Sequence, residues 1–379
     1  MERKYYLKTE NLTVGYGKNP LISGIEIGVK RGEILTLIGP NGAGKSTILK
    51  SIAKQLALLG GKVLLENEDM AKLSGNEVAK KLSVMLTGQI QSELMTCEDV
   101  VSSGRYPYTG TLGILSKEDR NKVWDALELV HATELASSYF DQISDGQRQR
   151  VLLARAICQE PDVIVLDEPT SFLDIRHKLE LITILKQLVR EKDIAVVMSL
   201  HELDLAMKVS DTIVCVNGDR IEKCGSPEDI FSGDYINQLY HMTKGSFLAE
   251  YGVVELERTV GEPTVFVIGG GGTGIATYRY LQRKGIAFAV GVLQKNDADY
   301  AIASALATKV IVADAFEPIT EQQIKEAEAL MDTSRYVICT LTQFGTMNQQ
   351  NAKLLENAKQ SGKLVELYEL SEQKDIWKG

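Results

Sequence analysis

One run, GPNGAGKS at residues 39–46, limits this chain more than anything else in it, because that spacing of glycines ahead of Lys-Ser suits a loop wrapped around phosphate groups. Such a loop works between a strand and a helix, and both flanks comply. Residues 33–38 (EILTLI) form a short apolar run that reads as a buried strand, and from Ser46 onward Ile48, Leu49, Ile52 and Leu56 recur at helical spacing. The glycines let the backbone turn its N–H groups inward, and the helix N-terminus adds partial positive charge. Gly39, Pro40, Asn41, Gly42, Ala43, Gly44, Lys45, Ser46 and Thr47 are therefore the expected nucleotide cradle. Within it, Lys45 bridges the β- and γ-phosphates and Ser46 offers its hydroxyl to Mg²⁺. A nucleoside triphosphate and Mg²⁺ are the ligands these residues predict.

A second apolar strand, residues 163–168 (VIVLDE), ends in Asp167 and Glu168. An acid at that position orients the Mg²⁺ shell, which is the role expected of Asp167, while Glu168, one residue on, polarises the attacking water as a general base. Composition agrees with a folded enzyme. Hydrophobic residues make up 44% and charged residues 25% of the 379, so a sizeable core is available, and the length favours two domains. The net charge of −9 argues against nucleic acid as the main partner, since phosphate-backbone affinity needs clustered Lys and Arg. No apolar run is long enough to cross a bilayer and the first residues lack a signal-peptide core, so a cytosolic chain is expected. Five scattered cysteines without a Cys-x-x-Cys pair, and only four histidines, predict reduced thiols and no zinc centre.

Along the chain, residues 5–30 alternate apolar and polar positions around glycine breaks, as half-buried antiparallel strands do. Residues 98–159 carry mainly helical spacing and read as a helical subdomain. The apolar run at 163–168, a helix over 178–191 and the apolar run at 194–200 (IAVVMSL) then form a β-α-β core, closed by two short strands, IVCVNG and RIEKCG. A polar stretch, ELERTVGEP, marks a domain boundary, so the expected domains are residues 1–252 and 263–379, the second a smaller α/β unit.

Taken in order, these motifs resemble the ABC transporter ATPases, and the resemblance covers residues 1 to about 250. The most discriminating element is ISDGQ at 143–147, followed by Arg148, Gln149 and Arg150, which is similar to the family signature Leu-Ser-Gly-Gly-Gln. The resemblance implies a P-loop NTPase domain with an antiparallel β subdomain and a helical subdomain. It also implies a homodimer in which Ser144, Gly146 and Gln147 of one chain complete the phosphate site of the second ATPase subunit. Asp145 departs from the usual Gly and is read as tolerated variation pointing away from phosphate. Tyr16 stands where the family stacks an aromatic on adenine, and the loop SFLD at 171–174, with Asp174, resembles the one that carries information across the dimer interface. His201 matches the switch histidine that contacts the γ-phosphate. In LSVMLTGQIQ, Thr87 takes the place of the usual Gln, with Gln89 the alternative.

GRYPY, residues 104–108, resembles the ATPases of importers for iron–siderophore complexes, haem and cobalamin, and places Tyr106 and Tyr108 where a permease docks. The implied partners are transmembrane permease subunits and, indirectly, a solute-binding protein, with the chain peripheral on the cytoplasmic side of the membrane. A soluble ABC-type mechanical switch is the alternative, although such chains generally carry two ATPase domains and this one has a single P-loop and signature. The second domain opens with VFVIGGGGTG, residues 265–274, a Gly-x-Gly-x-x-Gly run after a strand and before a helix. The acid expected near the end of its second strand is absent, and Asn296, Asp297 and Asp299 come later. A Rossmann-like, regulatory ligand-sensing domain is expected, with a purely structural tight turn as the alternative.

Overall fold

The computed structural model describes residues 4–86, 94–110 and 113–368; Thr87 and Gln89 lie outside them. The chain divides into two compact units, Met1–Tyr240 and His241–Gly379.

The first unit opens on β1 (Leu7–Tyr16), β2 (Asn19–Ile25) and β3 (Gly28–Val29). Leu12 and Val14 of β1 face the core while Asn11 and Thr13 beside them are less buried, the alternation a half-solvated sheet imposes. Next come β4 (Ile34–Ile38), buried throughout, and α1 (Lys45–Ile52), which turns Ile48, Leu49 and Ile52 inward as their spacing predicts. β5 (Gly60–Leu65) and β6 (Glu68–Asp69) complete an antiparallel sheet in the order β2-β1-β5-β6, with β3 also paired to β1. After α2 (Gly75–Lys81) and β7 (Leu82–Met85) comes the helical subdomain, α3 (Cys97–Ser102), α4 (Lys117–Leu129) and α5 (Asp145–Cys158). Each of these three helices starts at a capping box, from Thr96, Ser116 and Ser144 respectively.

The chain then returns to the central sheet through β8 (Val163–Asp167), α6 (Ile175–Lys192), β9 (Ala195–Ser199), α7 (Leu203–Val209), β10 (Thr212–Asn217) and β11 (Arg220–Gly225). It ends in α8 (Pro227–Ile230) and α9 (Tyr235–Leu239). The sheet order is β11-β10-β4-β9-β8-β7, with every neighbouring pair parallel except β10 and β11. β4, β8 and β9 are buried along their whole length, which explains their unbroken apolar sequences. Register aligns Leu37 and Asp167 with Ser199, so the carboxyl ends of β4, β8 and β9 reach one edge together. One core joins that sheet to α1 and to the antiparallel sheet through residues such as Leu12, Ile48 and Val165.

The second unit starts with a hairpin, β12 (Ser246–Leu248) and β13 (Val253–Glu255). The sequence put β12 with the ATPase domain and left β13 in the stretch between the two expected domains, whereas the hairpin's contacts lie with the second unit. Leu248 and Val253 pack on that unit's core, Tyr251 Oη donates to Ala298 O at 3.2 Å, and Glu255 pairs with Arg279. The unit continues with β14 (Val265–Ile268), α10 (Ile275–Arg283), β15 (Phe288–Gln294), α11 (Tyr300–Leu306), β16 (Lys309–Ala313), α12 (Glu321–Thr333), β17 (Tyr336–Cys339) and α13 (Asn351–Gln360). Its four strands are parallel in the order β16-β15-β14-β17, with an apolar core on each face. The order reverses at β14, as in a doubly wound Rossmann-like sheet. Among the described residues no helix is long and apolar enough to cross a membrane, and no His, Cys, Asp or Glu cluster is arranged to hold a metal ion.

Candidate functional site

At the carboxyl edge of the first unit's sheet lies a cleft of about 510 Å³ lined by Tyr16, residues 41–47, Glu168 and His201. The loop after β4 supplies its floor. Gly39 takes φ +146°, and a Cβ there would fall 2.0 Å from Val216 O, so only glycine passes β10 this closely. Its N–H donates to Tyr240 Oη at 3.0 Å. Burial pushes that phenol up to about 12, so it stays neutral and is free to accept.

Lys45 is folded back over the loop, with Nζ donating to Gly39 O at 2.7 Å and Pro40 O at 3.0 Å. Burial holds its ammonium below the usual lysine range, while the charges of Glu168 and Asp167 oppose that shift. Ser46 Oγ donates to Asp167 Oδ1 at 3.0 Å. Asp167 is almost wholly buried, and Ser199 Oγ donates to the same oxygen at 2.8 Å.

Glu168 adopts a left-handed φ of +49°, a conformation held from several sides. Its N–H donates to Ser199 Oγ at 2.9 Å, Ser171 Oγ reaches Oε2 at 3.2 Å, and His201 Nε2 lies 2.6 Å from Oε1. Tyr16 stands 56% exposed at the rim, with Oη 3.2 Å from Thr47 Oγ1, leaving its ring available for stacking.

Ser144, Gly146, Gln147 and Asp174 do not line this cleft. Ser144 caps α5, its Oγ accepting Gln147 N–H at 3.3 Å while Gln147 Oε1 accepts Ser144 N–H at 2.9 Å. Gly146 follows in the first turn, and Asp145 pairs with Arg148 at 3.2 Å. Asp174 caps α6 through His177 N–H at 2.9 Å. In GRYPY the buried members are Gly104 and Arg105, and Arg105 bonds Asp119 at 2.9 Å, Glu160 at 3.0 Å and Cys158 O at 2.8 Å. Arg105 also covers the Tyr108 ring at 4.0 Å, so Tyr106, 59% exposed, is the freer aromatic.

Sequence reasoning missed Ser199, Tyr240 and Glu202. Ser199 carried a signal as the polar residue of an apolar strand. Glu202, beside His201, accepts from Thr170 Oγ1 at 2.8 Å and from Lys178, which ties the histidine loop to the loop after Glu168.

Parallel strands that bring a glycine loop and an adjacent pair of acids to one edge make this unit a P-loop nucleotide hydrolase. Comparison with known proteins narrows that class. Residues 22–171 match the family model described as ABC transporter, and residues 288–379 match one described as the MJ0874 family. The uncharacterised ABC transporter ATP-binding protein MJ0873 of Methanocaldococcus jannaschii is 41% identical over 288 residues, 76% of this chain and 99% of its own length. The iron(3+)-hydroxamate import ATP-binding protein FhuC of Bacillus subtilis is 34% identical, across 62% of this chain and 86% of its own. The cobalamin import ATP-binding protein BtuD of Halobacterium salinarum is 30% identical, across 78% and 75%.

Among solved structures, the dimeric ATP-binding cassette MJ0796 bound to ADP and Pi superposes with a TM-score of 0.51 at 26% identity, over 58% of this chain and 98% of that one. CbiO1 of Clostridium perfringens, part of the ABC transporter complex cbiONQ, gives 0.53 at 25% identity, over 65% and 97%. The chain belongs to the ABC transporter ATP-binding family and is an ATPase.

Proposed function

We propose that this chain is the ATP-hydrolysing subunit of an importer and energises uptake of an iron complex, siderophore or haem, or of cobalamin through a separate permease. The named import relatives and the exposed Tyr106 on the helical subdomain support that reading. In it the chain works as a homodimer on the cytoplasmic face of the membrane, with a solute-binding protein acting indirectly. Residues 263–379, which contain none of the phosphate-transfer motifs, are a regulatory domain.

The single observation that carries the hydrolytic reading is the Glu168–His201 contact of 2.6 Å facing the phosphate loop. Lys45 leaves its backbone carbonyls to hold the β- and γ-phosphates, and Tyr16 stacks on the adenine. Glu168 Oε1 takes a proton from the attacking water as its oxygen bonds to the γ-phosphorus and the bond to the β–γ bridging oxygen breaks, releasing ADP and phosphate. His201 stands where it can share that proton and fix the carboxylate's direction.

Ser46 Oγ and the Asp167 carboxylate are hard oxygen donors 3.0 Å apart, a set that fits Mg²⁺ with its waters. When bound, Mg²⁺ neutralises charge on the β- and γ-phosphates. In the dimer, Ser144, Gly146 and Gln147 of the partner face the γ-phosphate and Asp174 lies at the interface, which accords with their absence from the chain's own cleft.

The test separates binding from chemistry. Lys45→Ala is expected to lose nucleotide affinity and turnover together, whereas Glu168→Gln keeps ATP binding and loses turnover by about a hundredfold or more. Wild-type hydrolysis by Glu168→Gln would remove the general-base role. Co-purification of an integral membrane protein, followed by uptake assays with ferric siderophore, haem and cobalamin, tests the transport half.

A further inference from the structure

The glycine run at residues 269–274 joins β14 to α10 where the sheet order reverses, the place at which doubly wound sheets take their ligands. A dinucleotide there sets its pyrophosphate on the N–H groups of the turn and its ribose on an acid at the end of the second strand. Neither requirement is met.

Two of the turn's N–H groups already have anions, and a third, Thr273 N–H, donates to Gly270 O at 3.2 Å. Gly271 N–H donates to both carboxylate oxygens of Asp297, at 2.8 and 3.0 Å, and Gly274 N–H donates to Asp299 Oδ2 at 3.0 Å. Asp297 is fixed further by Asp299 N–H, which donates to Oδ1 at 2.8 Å. A pyrophosphate would have to displace one carboxylate and sit beside the other, and the latter is wholly buried. At the expected ribose position β15 ends in Gln294, followed by Lys295, whose ammonium pairs with Asp314 at 2.7 Å.

The glycines themselves answer to an internal demand. A Cβ at Gly269 or Gly274 would fall 2.1 or 2.2 Å from Tyr278 Oη. Tyr278 is fully buried and donates to Asp299 Oδ2 at 3.1 Å, so the Tyr278–Asp299 pair fills the space directly behind the turn. Gly271, where a ligand would make its close approach, has nothing within 4 Å of its own Cβ position.

We infer that the second unit is not a dinucleotide-binding domain: Asp297 and Asp299 are the resident anions of its glycine turn and close it from within. Whatever input the unit senses enters elsewhere.

Fluorescence titration of the full chain with NADH and NADPH is expected to show no saturable binding up to about 1 mM, the weak end of specific affinity. Saturable binding that Gly271→Phe abolishes overturns the inference. In a Lys45→Ala background, which silences the first unit's phosphate loop, Asp297→Ala frees the Gly271 N–H. Calorimetry should then find pyrophosphate bound about tenfold more tightly than in the Lys45→Ala chain, the worth of one charge-assisted hydrogen bond. Absence of that gain would mean the carboxylate does not stand in for a ligand anion.

Thermal denaturation gives an independent reading that needs no ligand. Gly269→Ala should lower the unfolding midpoint, and adding Tyr278→Phe should recover part of the loss, because it removes the oxygen that the new methyl meets. A loss that Tyr278→Phe leaves untouched contradicts the internal account of the glycines.

Discussion

Ser199 does two things with one hydroxyl. Its hydrogen goes to Asp167 Oδ1 and its lone pair takes the Glu168 N–H, so a single buried atom fixes one acid's side chain and the other's backbone. The left-handed backbone at Glu168 costs on the order of 1–3 kcal/mol, and the Ser199 bond helps to offset it. Ser199→Ala leaves a buried N–H without its partner, and about 1–3 kcal/mol of stability should be lost. Its kcat should fall more than its KM for ATP rises, since the phosphate loop is untouched; denaturant melts and steady-state ATPase assays read both. Glu202 offers a pH-dependent counterpart. Burial raises its carboxyl, but the bonds from Lys178 and Thr170 outweigh that and hold it below the ordinary value of 4.5. Because the folded-state value lies below the unfolded one, its contribution is complete above the ordinary value and is lost as pH falls through the folded one. Glu202→Gln should therefore melt earlier than wild type at neutral pH, with the two curves converging in acid. A gap that persists unchanged at low pH would assign the loss to packing instead of charge.

Elements whose cause is local are legible in the sequence. β4, β8 and β9 are continuous apolar runs because a parallel sheet buries both faces, and the phosphate loop followed from its glycine spacing. α6 was placed too late, at residue 178, because Ile175 and Leu179 are exposed and blur the apolar stripe; its true start is set by the Asp174 cap. Contacts made across the sequence were not legible. Tyr240 meets Gly39, and Asp297 meets Gly271, through the sheet order, which no local pattern encodes. The same holds for α5, whose N-terminus was recognised by resemblance and lies outside the chain's own cleft. If that terminus completes a partner's site, mixing Lys45→Ala with Ser144→Arg chains gives heterodimers with one intact and one doubly damaged site. Partial ATPase activity should return on mixing. No recovery, with heterodimers demonstrated by tag-exchange pull-down, would mean that each chain hydrolyses ATP alone or that the two sites fire only together.

At the scale of the whole molecule, every residue assigned to phosphate chemistry lies in Met1–Tyr240, and Tyr240 at the end of that unit still serves the site through Gly39. FhuC, an iron(3+)-hydroxamate import ATP-binding protein, aligns with this chain over 236 residues and 86% of its own length. The point of truncation matters. A cut near Glu262 strands the β12–β13 hairpin, whose Leu248 and Val253 pack on the second unit's core and whose Glu255 pairs with Arg279. A cut after Met242 keeps Tyr240 and removes the hairpin with the core it belongs to. The shorter chain should therefore stay monodisperse and hydrolyse ATP at close to the full-chain rate, while the one ending at Glu262 exposes apolar hairpin residues and aggregates more readily. Size-exclusion profiles and ATPase rates of the two truncations beside the full chain decide the matter. A folded chain of residues 1–242 without hydrolysis would move the second unit from regulation into the catalytic machinery, whereas altered rates alone would give the sign of its control.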